Sequence, residues 1–265
     1  MWRNRLHEAK AWVHHMVTSK GPHGVHSPFV YDLITNVLRS KKRSSLYAAI
    51  ERERSRLKSC KDELNVIDYG AGSRVNAGSL RTVQSITRTA LQPATHARAL
   101  TMIAGQSRHI LELGTSLGIT TAHLAAALPH ATVYTIEGSE AIMDQARKVW
   151  LTLNLNAIES VVGNFDAVLQ SVLDRMQTVD CFIIDGNHSG EACLRYIEMV
   201  LPFCTEDTLF IIDDIYWSPS MTNAWKRLTE DQRFTLSLDF FDFGVLYRTP
   251  GRVKEHFVLK RPWIW

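Results

Sequence analysis

The sequence has few of the residues that indicate a secreted, a thiolate-metal or a membrane-spanning protein. No two of its four cysteines have C-x-x-C spacing, and three of the four lie in apolar segments, which is typical of reduced core thiols in a cytosolic protein. No apolar run approaches the ~18 residues that a membrane span needs. The charged residues within Met1 to Lys20 argue against a signal peptide. We therefore expect a cytoplasmic, globular protein. The cysteines are Cys60, Cys181, Cys193 and Cys204.

Acidic residues are scarce in the first quarter of the chain. Residues 1–64 contain 13 Lys and Arg against 6 Asp and Glu, whereas residues 65–265 contain 17 against 21. This asymmetry predicts a basic, mainly helical N-terminal appendage or lid over residues 1–95 and a body over residues 96–265. A basic appendage can bind nucleic acid or a membrane surface, although a solvated helix face is the more common explanation.

The appendage opens with an amphipathic pattern. Apolar residues recur at helical spacing in residues 2–17, so we expect a helix with a basic outer face. A single helix of this length is marginal in water. We therefore expect it to dock on the body or on a second subunit of a homodimer. The apolar positions are Trp2, Leu6, Ala9, Val13 and Met16.

From His109 the sequence alternates between short apolar runs and helical patterns. This alternation predicts a Rossmann-like α/β fold, a doubly wound and mostly parallel sheet with helices on both faces. Residues 234–241 and 243–248 predict a C-terminal antiparallel hairpin, and residues 256–259 predict an edge strand. The predicted strands of the repeat are 109–113, 132–136, 158–162, 179–184 and 208–212, and the helices are 117–128, 139–151, 165–175, 189–200 and 219–229.

A glycine loop follows the first predicted strand, in the segment Glu112-Leu-Gly-Thr-Ser-Leu-Gly118. Glycines let the backbone approach a nucleotide-like ligand at a helix N-terminus, which Thr115 or Ser116 is available to cap. Glu137 ends the second strand, 19 residues past Gly118, where a carboxylate can accept both hydroxyls of a ribose.

A similar segment at residues 66–73 lacks such an acid, since no Asp or Glu occurs between Ser73 and His109. We therefore interpret Asp68 to Ser73 as a loop that covers the active site and not as a cofactor loop.

Polar residues also follow the later strands. Asn164 and Phe165 follow the third strand, and they can frame an adenine. Asp185 follows the fourth strand, and Asp213 and Asp214 follow the fifth. Packing three carboxylates together is costly without a counter-charge. The pattern therefore predicts an oxygen-ligand site for Mg²⁺ or another divalent cation.

These ordered motifs resemble the class I S-adenosylmethionine-dependent methyltransferases. They are most similar to the metal-dependent O-methyltransferases of the catechol and caffeoyl-coenzyme A type. In that group an Asp and an Asp-Asn pair hold Mg²⁺; here Asp214 stands in place of the Asn, and His188 in place of a lysine base. The resemblance implies that the following residues bind S-adenosylmethionine: Glu112, Gly114, Thr115, Ser116, Gly118, Glu137, Gly138, Asn164, Phe165 and Asp185.

The implied reaction is methylation of a hydroxyl on a small, catechol-like acceptor. A metal held by Asp185, Asp213 and Asp214 would lower the pKa of that hydroxyl, and His188 would take its proton. Asp185 and His188 are thus the candidate catalytic residues. As neighbours of the acidic pair, Tyr216 and Trp217 either wall the acceptor or pack in the core.

Two alternatives stay open. The chain is a tRNA or rRNA methyltransferase if the basic, mostly helical residues 39–61 hold phosphates. It is a catalytically silent cofactor-binding module if its N-terminal helices engage a protein partner. The sequence has no Asn/Asp-Pro-Pro-Tyr motif, and the resemblance therefore argues against methylation of an adenine amino group.

Overall fold

The structure is a computed structural model that describes residues 2–67 and 80–261. Among the described helices, none is both long and apolar enough to cross a lipid bilayer. The helices are α1 (Trp2–Thr18), α2 (Pro28–Asp32), α3 (Tyr47–Ser59), α4 (Val83–Ala90), α5 (Ala94–Ala104), α6 (Ile119–Ala127), α7 (Glu140–Thr152), α8 (Phe165–Met176), α9 (Gly190–Val200) and α10 (Pro219–Glu230). The other helical segments are a 3₁₀ helix at Pro22–Gly24, a π helix at Leu33–Leu38 and a 3₁₀ helix at Leu201–Phe203.

The strands form a small and a large sheet. They are β1 (Glu63–Asn65), β2 (Leu80–Thr82), β3 (His109–Leu113), β4 (Thr132–Glu137), β5 (Ile158–Val162), β6 (Val179–Ile184), β7 (Cys204–Asp213), β8 (Leu236–Asp239), β9 (Phe243–Tyr247) and β10 (Glu255–Val258). Strands β1 and β2 pair with each other, and the large sheet has the order β10-β8-β9-β7-β6-β3-β4-β5. Strand β9 runs antiparallel to its neighbours β7 and β8.

The predicted α/β fold with a mostly parallel sheet and a C-terminal hairpin is confirmed. Each strand of the predicted repeat occurs. The apolar runs of β3, β6 and the second half of β7 are buried within the parallel sheet, whereas the edge strand β5 is only partly buried. The predicted edge strand is β10, which pairs in parallel with β8. Capping side chains set several helix starts. The hydroxyl of Ser218, for example, accepts a 3.2 Å hydrogen bond from the Met221 amide at the start of α10.

The chain divides into two compact units. One combines Met1–Lys41 with Thr178–Trp265 and is called the terminal unit; the other is Lys42–Gln177 and is called the central unit. These bounds differ from the predicted boundary between residues 95 and 96, which stays a prediction.

In the central unit, β3, β4 and β5 are parallel, so their carboxyl ends lie at one edge of the sheet. A core of buried apolar side chains joins α3, α4, α6 and α7 on these elements. In the terminal unit, β6, β7, β8 and β10 point the same way, since β9 is antiparallel to both β7 and β8. The residues that follow these four strands therefore share one edge as well.

The N-terminal segment differs from its predicted form in several places. Residues 39–46 are not helical, although the charged residues 39–61 were expected to be mostly so. Helix α4 begins only after β2, because residues 80–82 pair with β1. The predicted covering loop at Asp68 to Ser73 lies outside the described residues.

Helix α1 is confirmed, but the face that packs on the rest of the terminal unit is not the apolar one. His15 is 3% exposed, and the His7 imidazole forms a 2.8 Å hydrogen bond with the Thr222 hydroxyl. Leu6 and Val13 are 58% and 57% exposed. The basic residues Arg5 and Lys10 are exposed as predicted, but polar contacts hold α1 in place and leave its apolar stripe outside as well.

Candidate active site

The glycine loop of the central unit is fixed by its backbone. Gly114, Ser116 and Gly118 have φ angles of +100°, +48° and +73°. The Gly114 amide donates to the Ile136 carbonyl at 3.0 Å, which joins the start of the loop to β4. The indole of Trp150 donates to the Gly118 carbonyl at 2.8 Å. These contacts hold the loop open at the carboxyl end of β3.

Gly118 occupies a position that no other residue fits. A Cβ atom there would lie 2.6 Å from Trp150 Nε1 and 2.7 Å from Ala146 Cβ. Its φ is also in the left-handed region, where side chains are disfavoured. The motif glycine thus serves close packing of α6 against α7 as well as the turn.

Gly118 is also the N-cap of α6, and no described side chain caps this helix. Thr115, predicted as a candidate cap, instead contacts the Thr135 hydroxyl at 2.6 Å. Ser116, the other candidate, has a buried hydroxyl oxygen with no hydrogen-bond partner among the described residues. Free helix N–H groups and an orphaned hydroxyl are the groups that a polar ligand satisfies. Residues 114–118 with the Glu137 carboxylate, here called the glycine corner, can therefore bind a polar group of a ligand.

Glu137 faces the same loop. Its Oε2 accepts a 3.0 Å hydrogen bond from the Ser116 amide, and its Oε1 accepts a 3.1 Å bond from the Ser139 amide. Each carboxylate oxygen can accept further hydrogen bonds. The carboxylate is thus oriented by backbone donors beside the loop. Gly138 lies between these two residues and is half-buried.

Glu112 is placed differently from the other predicted cofactor-binding residues. It is 1% exposed, and its Oε2 accepts hydrogen bonds from the Thr121 and Thr135 hydroxyls at 2.6 and 2.7 Å. Burial raises the pKa of its carboxyl to about 7; the two threonines oppose the shift, and the charge of Glu137 adds to it. Glu112 thus ties α6 and β4 together beneath the loop, and this geometry favours support of the loop over direct contact with a ligand.

The predicted adenine pair follows β5. Asn164 is the N-cap of α8, and its Oδ1 accepts a 2.9 Å hydrogen bond from the Asp166 amide. Its oxygen is therefore engaged in capping, which leaves the side-chain amide group as the donor toward a ligand. Phe165 is the first residue of α8.

The acidic residues of the terminal unit lie at the carboxyl ends of β6 and β7. Asp213 ends β7 and is 1% exposed. Asp214 has a φ of +53°, and its amide donates to the Asp242 carbonyl at 2.7 Å. This left-handed turn separates the directions of the two neighbouring side chains. Asp185 follows β6 and is half-buried.

His188 lies against Asp214 and Trp217. Its Nε2 is 3.7 Å from Asp214 Oδ2, and its ring centroid is 5.5 Å from that of Trp217. All three side chains are partly exposed. The Tyr216 hydroxyl instead donates to Asp239 Oδ2 at 2.5 Å, and the Tyr216 ring stacks on Phe241. Of the two neighbouring aromatic residues, Trp217 thus borders the histidine, while Tyr216 packs toward Asp239.

The expected metal centre is not formed as a cluster. Within residues 2–67 and 80–261, no group of three or more His, Cys, Asp and Glu side chains is arranged to hold a metal ion. Two features account for this. The left-handed turn directs Asp214 to His188, and Asp213 is buried at the end of its strand. Among the described residues, Asp185, Asp213 and Asp214 are thus not grouped as metal ligands, and the three-carboxylate site stays a prediction.

Sequence reasoning missed the residues that support the loop. Thr121, Thr135 and Trp150 each hold part of the glycine corner through the contacts given above. Trp150 follows Gly118 by 32 residues, and nothing in the spacing indicates that the two are in contact. The threonines at positions 121 and 135 gave only a weak signal, as hydroxyls in otherwise apolar elements.

Comparison with known proteins gives the same class. Residues 111–215 match the family model described as Methyltransferase domain. No curated protein sequence matches the chain significantly.

The fold is similar to that of solved methyltransferases. The SAH-bound methyltransferase PaMTH1 of Podospora anserina is 13% identical, with a TM-score of 0.59 over 84% of this chain and 97% of that one. An O-methyltransferase from Bacillus cereus, in complex with SAH, is 19% identical, with a TM-score of 0.54 over 83% and 97%.

A third similar structure is the O-methyltransferase TomG of Streptomyces achromogenes in complex with SAM. It is 17% identical, with a TM-score of 0.55 over 83% of this chain and 95% of that one. Residues 111–215 thus match a methyltransferase-domain model, and the chain shares the fold of these solved methyltransferases, in agreement with the resemblance drawn from the motifs.

Proposed function

We propose that this protein transfers a methyl group from S-adenosylmethionine to a hydroxyl of a small acceptor. The observation that carries the proposal is the glycine corner, where the orphaned Ser116 hydroxyl, the uncapped start of α6 and the oriented Glu137 carboxylate face a ligand of this type. In the proposed complex Glu137 holds the ribose, Gly114 to Gly118 hold the methionine end, and Asn164 and Phe165 contact the adenine. Gly138 lets the backbone pass close to the ribose.

The bound cofactor supplies a sulfonium methyl group; an acceptor oxygen forms the new O–CH₃ bond as the S–CH₃ bond breaks, and S-adenosylhomocysteine leaves. In this proposal His188 takes the proton of the acceptor hydroxyl on its ring nitrogen, and the Asp214 carboxylate stabilises the imidazolium that results. The position of Asp214, 3.7 Å from His188, supports this pairing. Trp217 borders His188 and would pack against a flat acceptor such as a catechol.

Metal assistance is the part of the proposal that the described geometry supports least. Because the three carboxylates do not form a ligand group within the described residues, no proton transfer is routed through a metal here. Asp185 stays a predicted contact of the cofactor and the acceptor, and Asp213 stays a predicted ligand. Turnover measured with and without a chelator decides between these versions, since a metal-dependent enzyme loses its activity in the chelator and recovers it on addition of Mg²⁺.

Nothing in the described structure favours the RNA alternative. Two of the arginines in residues 39–61 are engaged with neighbouring acids: Arg54 Nε lies 3.2 Å from Glu51, and Arg56 Nε lies 2.8 Å from Glu53. Binding of RNA that weakens steeply with added salt would support the RNA alternative. Homodimer formation is a separate question and stays a prediction.

Isothermal titration with S-adenosylmethionine tests the central claim. We expect Glu137→Gln to raise the Kd by about ten-fold or more, because a hydrogen bond to a charged group contributes about 1.5–3 kcal/mol. Glu140→Gln is the matched control, since Glu140 is exposed and pairs only with Arg147 among the contacts given for it. Failure of the unmodified protein to bind the cofactor, or equal binding by both variants, contradicts the proposal.

A further inference from the structure

Helix α1 is inverted relative to an ordinary surface helix. The residues that pack toward the rest of the terminal unit are polar or small. They are Asn4, His7, Glu8, Ala11, His15 and Thr18. The exposed side carries the apolar side chains, and Val17 is 82% exposed. A helix that places its apolar face outward leaves apolar area in contact with water, and such a face usually meets a partner.

The inverted face has a defined width and defined margins. At 3.6 residues per turn, five exposed apolar positions fall within an arc of about 100°, and the exposed Trp12 lies about 40° outside it. Arg5 and Lys10 lie about 20° beyond the two ends of that arc, and both are exposed. The only acidic residue of the helix, Glu8, lies on the packed side. The apolar positions, here called the α1 face, are Leu6, Ala9, Val13, Met16 and Val17.

A cavity of about 240 Å³ adjoins the C-terminal end of the α1 face. Trp12 and Met16 form its apolar wall, and Lys260 and Arg261 bring two cations to it. Arg261 is partly neutralised, since its Nε lies 2.9 Å from Asp242 Oδ2, whereas Lys260 is exposed. The cavity thus adds a second basic border to the same apolar surface.

Contacts on the packed side hold this surface in position. His15 Nε2 is 3.7 Å from Asp239 Oδ1, and its ring meets Phe241 edge-on at 5.4 Å. Just beyond the helix, the Lys20 amide donates to the Val258 carbonyl at 2.9 Å, and the Lys260 amide donates to the Lys20 carbonyl at 3.1 Å. Helix α1 and the cations of residues 260–261 are therefore joined through backbone hydrogen bonds to β10.

We propose that the α1 face attaches this protein to the surface of an anionic lipid bilayer. An interfacial helix needs an apolar arc that enters the acyl boundary and basic residues that meet the headgroup phosphates. Here the arc is flanked by Arg5 and Lys10, with Trp12 beside it, and Lys260 lies at its C-terminal end. The helix has no acidic residue on this side to repel an anionic surface.

A second copy of the chain fits the same face less well. In a two-fold symmetric dimer each copy presents the same patch to the other. The basic margins would then meet each other, and like charges placed together weaken such an interface. A lipid surface supplies the opposite charge instead.

Co-sedimentation of the full chain with vesicles tests the proposal. We expect binding to vesicles of phosphatidylcholine with about one third phosphatidylglycerol, and weaker binding to phosphatidylcholine alone. Leu6→Ser combined with Val17→Ser should abolish sedimentation with both. Lys10→Ala should lower the affinity for anionic vesicles about five-fold, the effect of one basic residue at such a surface.

Leu151→Ser is the matched control, because Leu151 in α7 is 82% exposed and lies far from α1 in the sequence. It should bind vesicles like the unmodified chain, and circular dichroism checks that every variant is folded. No binding to anionic vesicles, or equal binding by the Leu6/Val17 double variant, overturns the proposal. So does a dimer in analytical ultracentrifugation that this double variant dissociates, since the α1 face would then be a subunit interface. Cofactor binding is a separate measurement, so the two proposals fail independently.

Discussion

Two regions are built in different ways. One is the glycine corner of the central unit. The other, here called the acidic corner, is the group of Asp185, His188, Asp213 and Asp214 in the terminal unit. In the glycine corner, backbone amides hold the Glu137 carboxylate, and buried hydroxyls hold Glu112. In the acidic corner, His188 and Asp214 are partly exposed and meet at 3.7 Å, beyond hydrogen-bond distance. The first corner is therefore positioned before any ligand arrives, while the second keeps side chains whose contacts a substrate can change.

The difference separates residues that contribute to folding stability from residues that take part in the proposed reaction. A group with several buried partners costs folding free energy when it is changed. A contact between partly exposed polar side chains contributes little to stability. Substitutions in the glycine corner should therefore act on folding and cofactor binding together, whereas substitutions in the acidic corner should act on turnover alone.

The largest expected effect is on turnover in the acidic corner. His188→Asn should lower kcat by about 10² to 10⁴-fold, because the proposed proton acceptor is lost. The melting temperature and the Kd for S-adenosylmethionine should stay unchanged. His130→Asn is the control, since His130 is exposed in the turn after α6. A variant with normal turnover, or one that loses stability instead, would break the contrast between the two corners.

Gly118→Ala should destabilise the fold by about 4 kcal/mol, the sum of overpacking and left-handed strain. Gly251→Ala isolates the strain, because Gly251 has a φ of +75° and no described atom lies within 4 Å of the place that a Cβ would take. We expect about 1–2 kcal/mol for that control. Chemical denaturation gives both values, and equal losses would show that Trp150 and Ala146 do not confine the loop.

Glu112 should make the stability of the glycine corner depend on pH. Because burial raises the pKa of its carboxyl from 4.5 to about 7, the folded state binds the proton more tightly than the unfolded chain. This contribution is fully present below pH 4.5, decreases as the pH rises, and is lost above about pH 7. It amounts to something on the order of 3 kcal/mol.

The measurement is the free energy of unfolding of the wild-type protein relative to Glu112→Gln. The free energy of unfolding of the wild type minus that of Glu112→Gln should decrease between about pH 4.5 and about pH 7.5. Glu159→Gln serves as the control, because Glu159 is 55% exposed. A difference that does not change with pH would mean that Glu112 is ionised in the folded state across this range.

The sequence predicted local elements better than their tertiary contacts. The five strands from His109 to Asp213 follow from apolar runs and turn residues, which act over a few positions. Residues 80–82 formed a strand and not the start of a helix, because their partner β1 is distant in the sequence. Such pairing has no local signal.

The same division holds for the candidate site. The glycine spacing and the acid at the end of the next strand indicated a nucleotide-like ligand, because those features follow from backbone geometry at a strand end. The resemblance to class I methyltransferases needed the ordered motifs at the later strand ends as well. The metal cluster was predicted from acids at the ends of two strands that were expected to share one edge of the sheet, and it stays a prediction. The left-handed turn at Asp214, which sends its carboxylate to His188, could not be predicted from residue types.

By itself the sequence determined the α/β alternation, the glycine loop and the amphipathic character of α1, because each depends on short-range periodicity or on glycine at a fixed spacing. Only the tertiary structure decided that Trp150 closes the loop through Gly118, that Glu112 is buried beneath it, and that α1 packs His7 and His15 inward. The physical reason is common to all three. Burial and hydrogen-bond partners are set by residues far apart in the chain, and the free energy of a side chain depends on those partners more than on its own type.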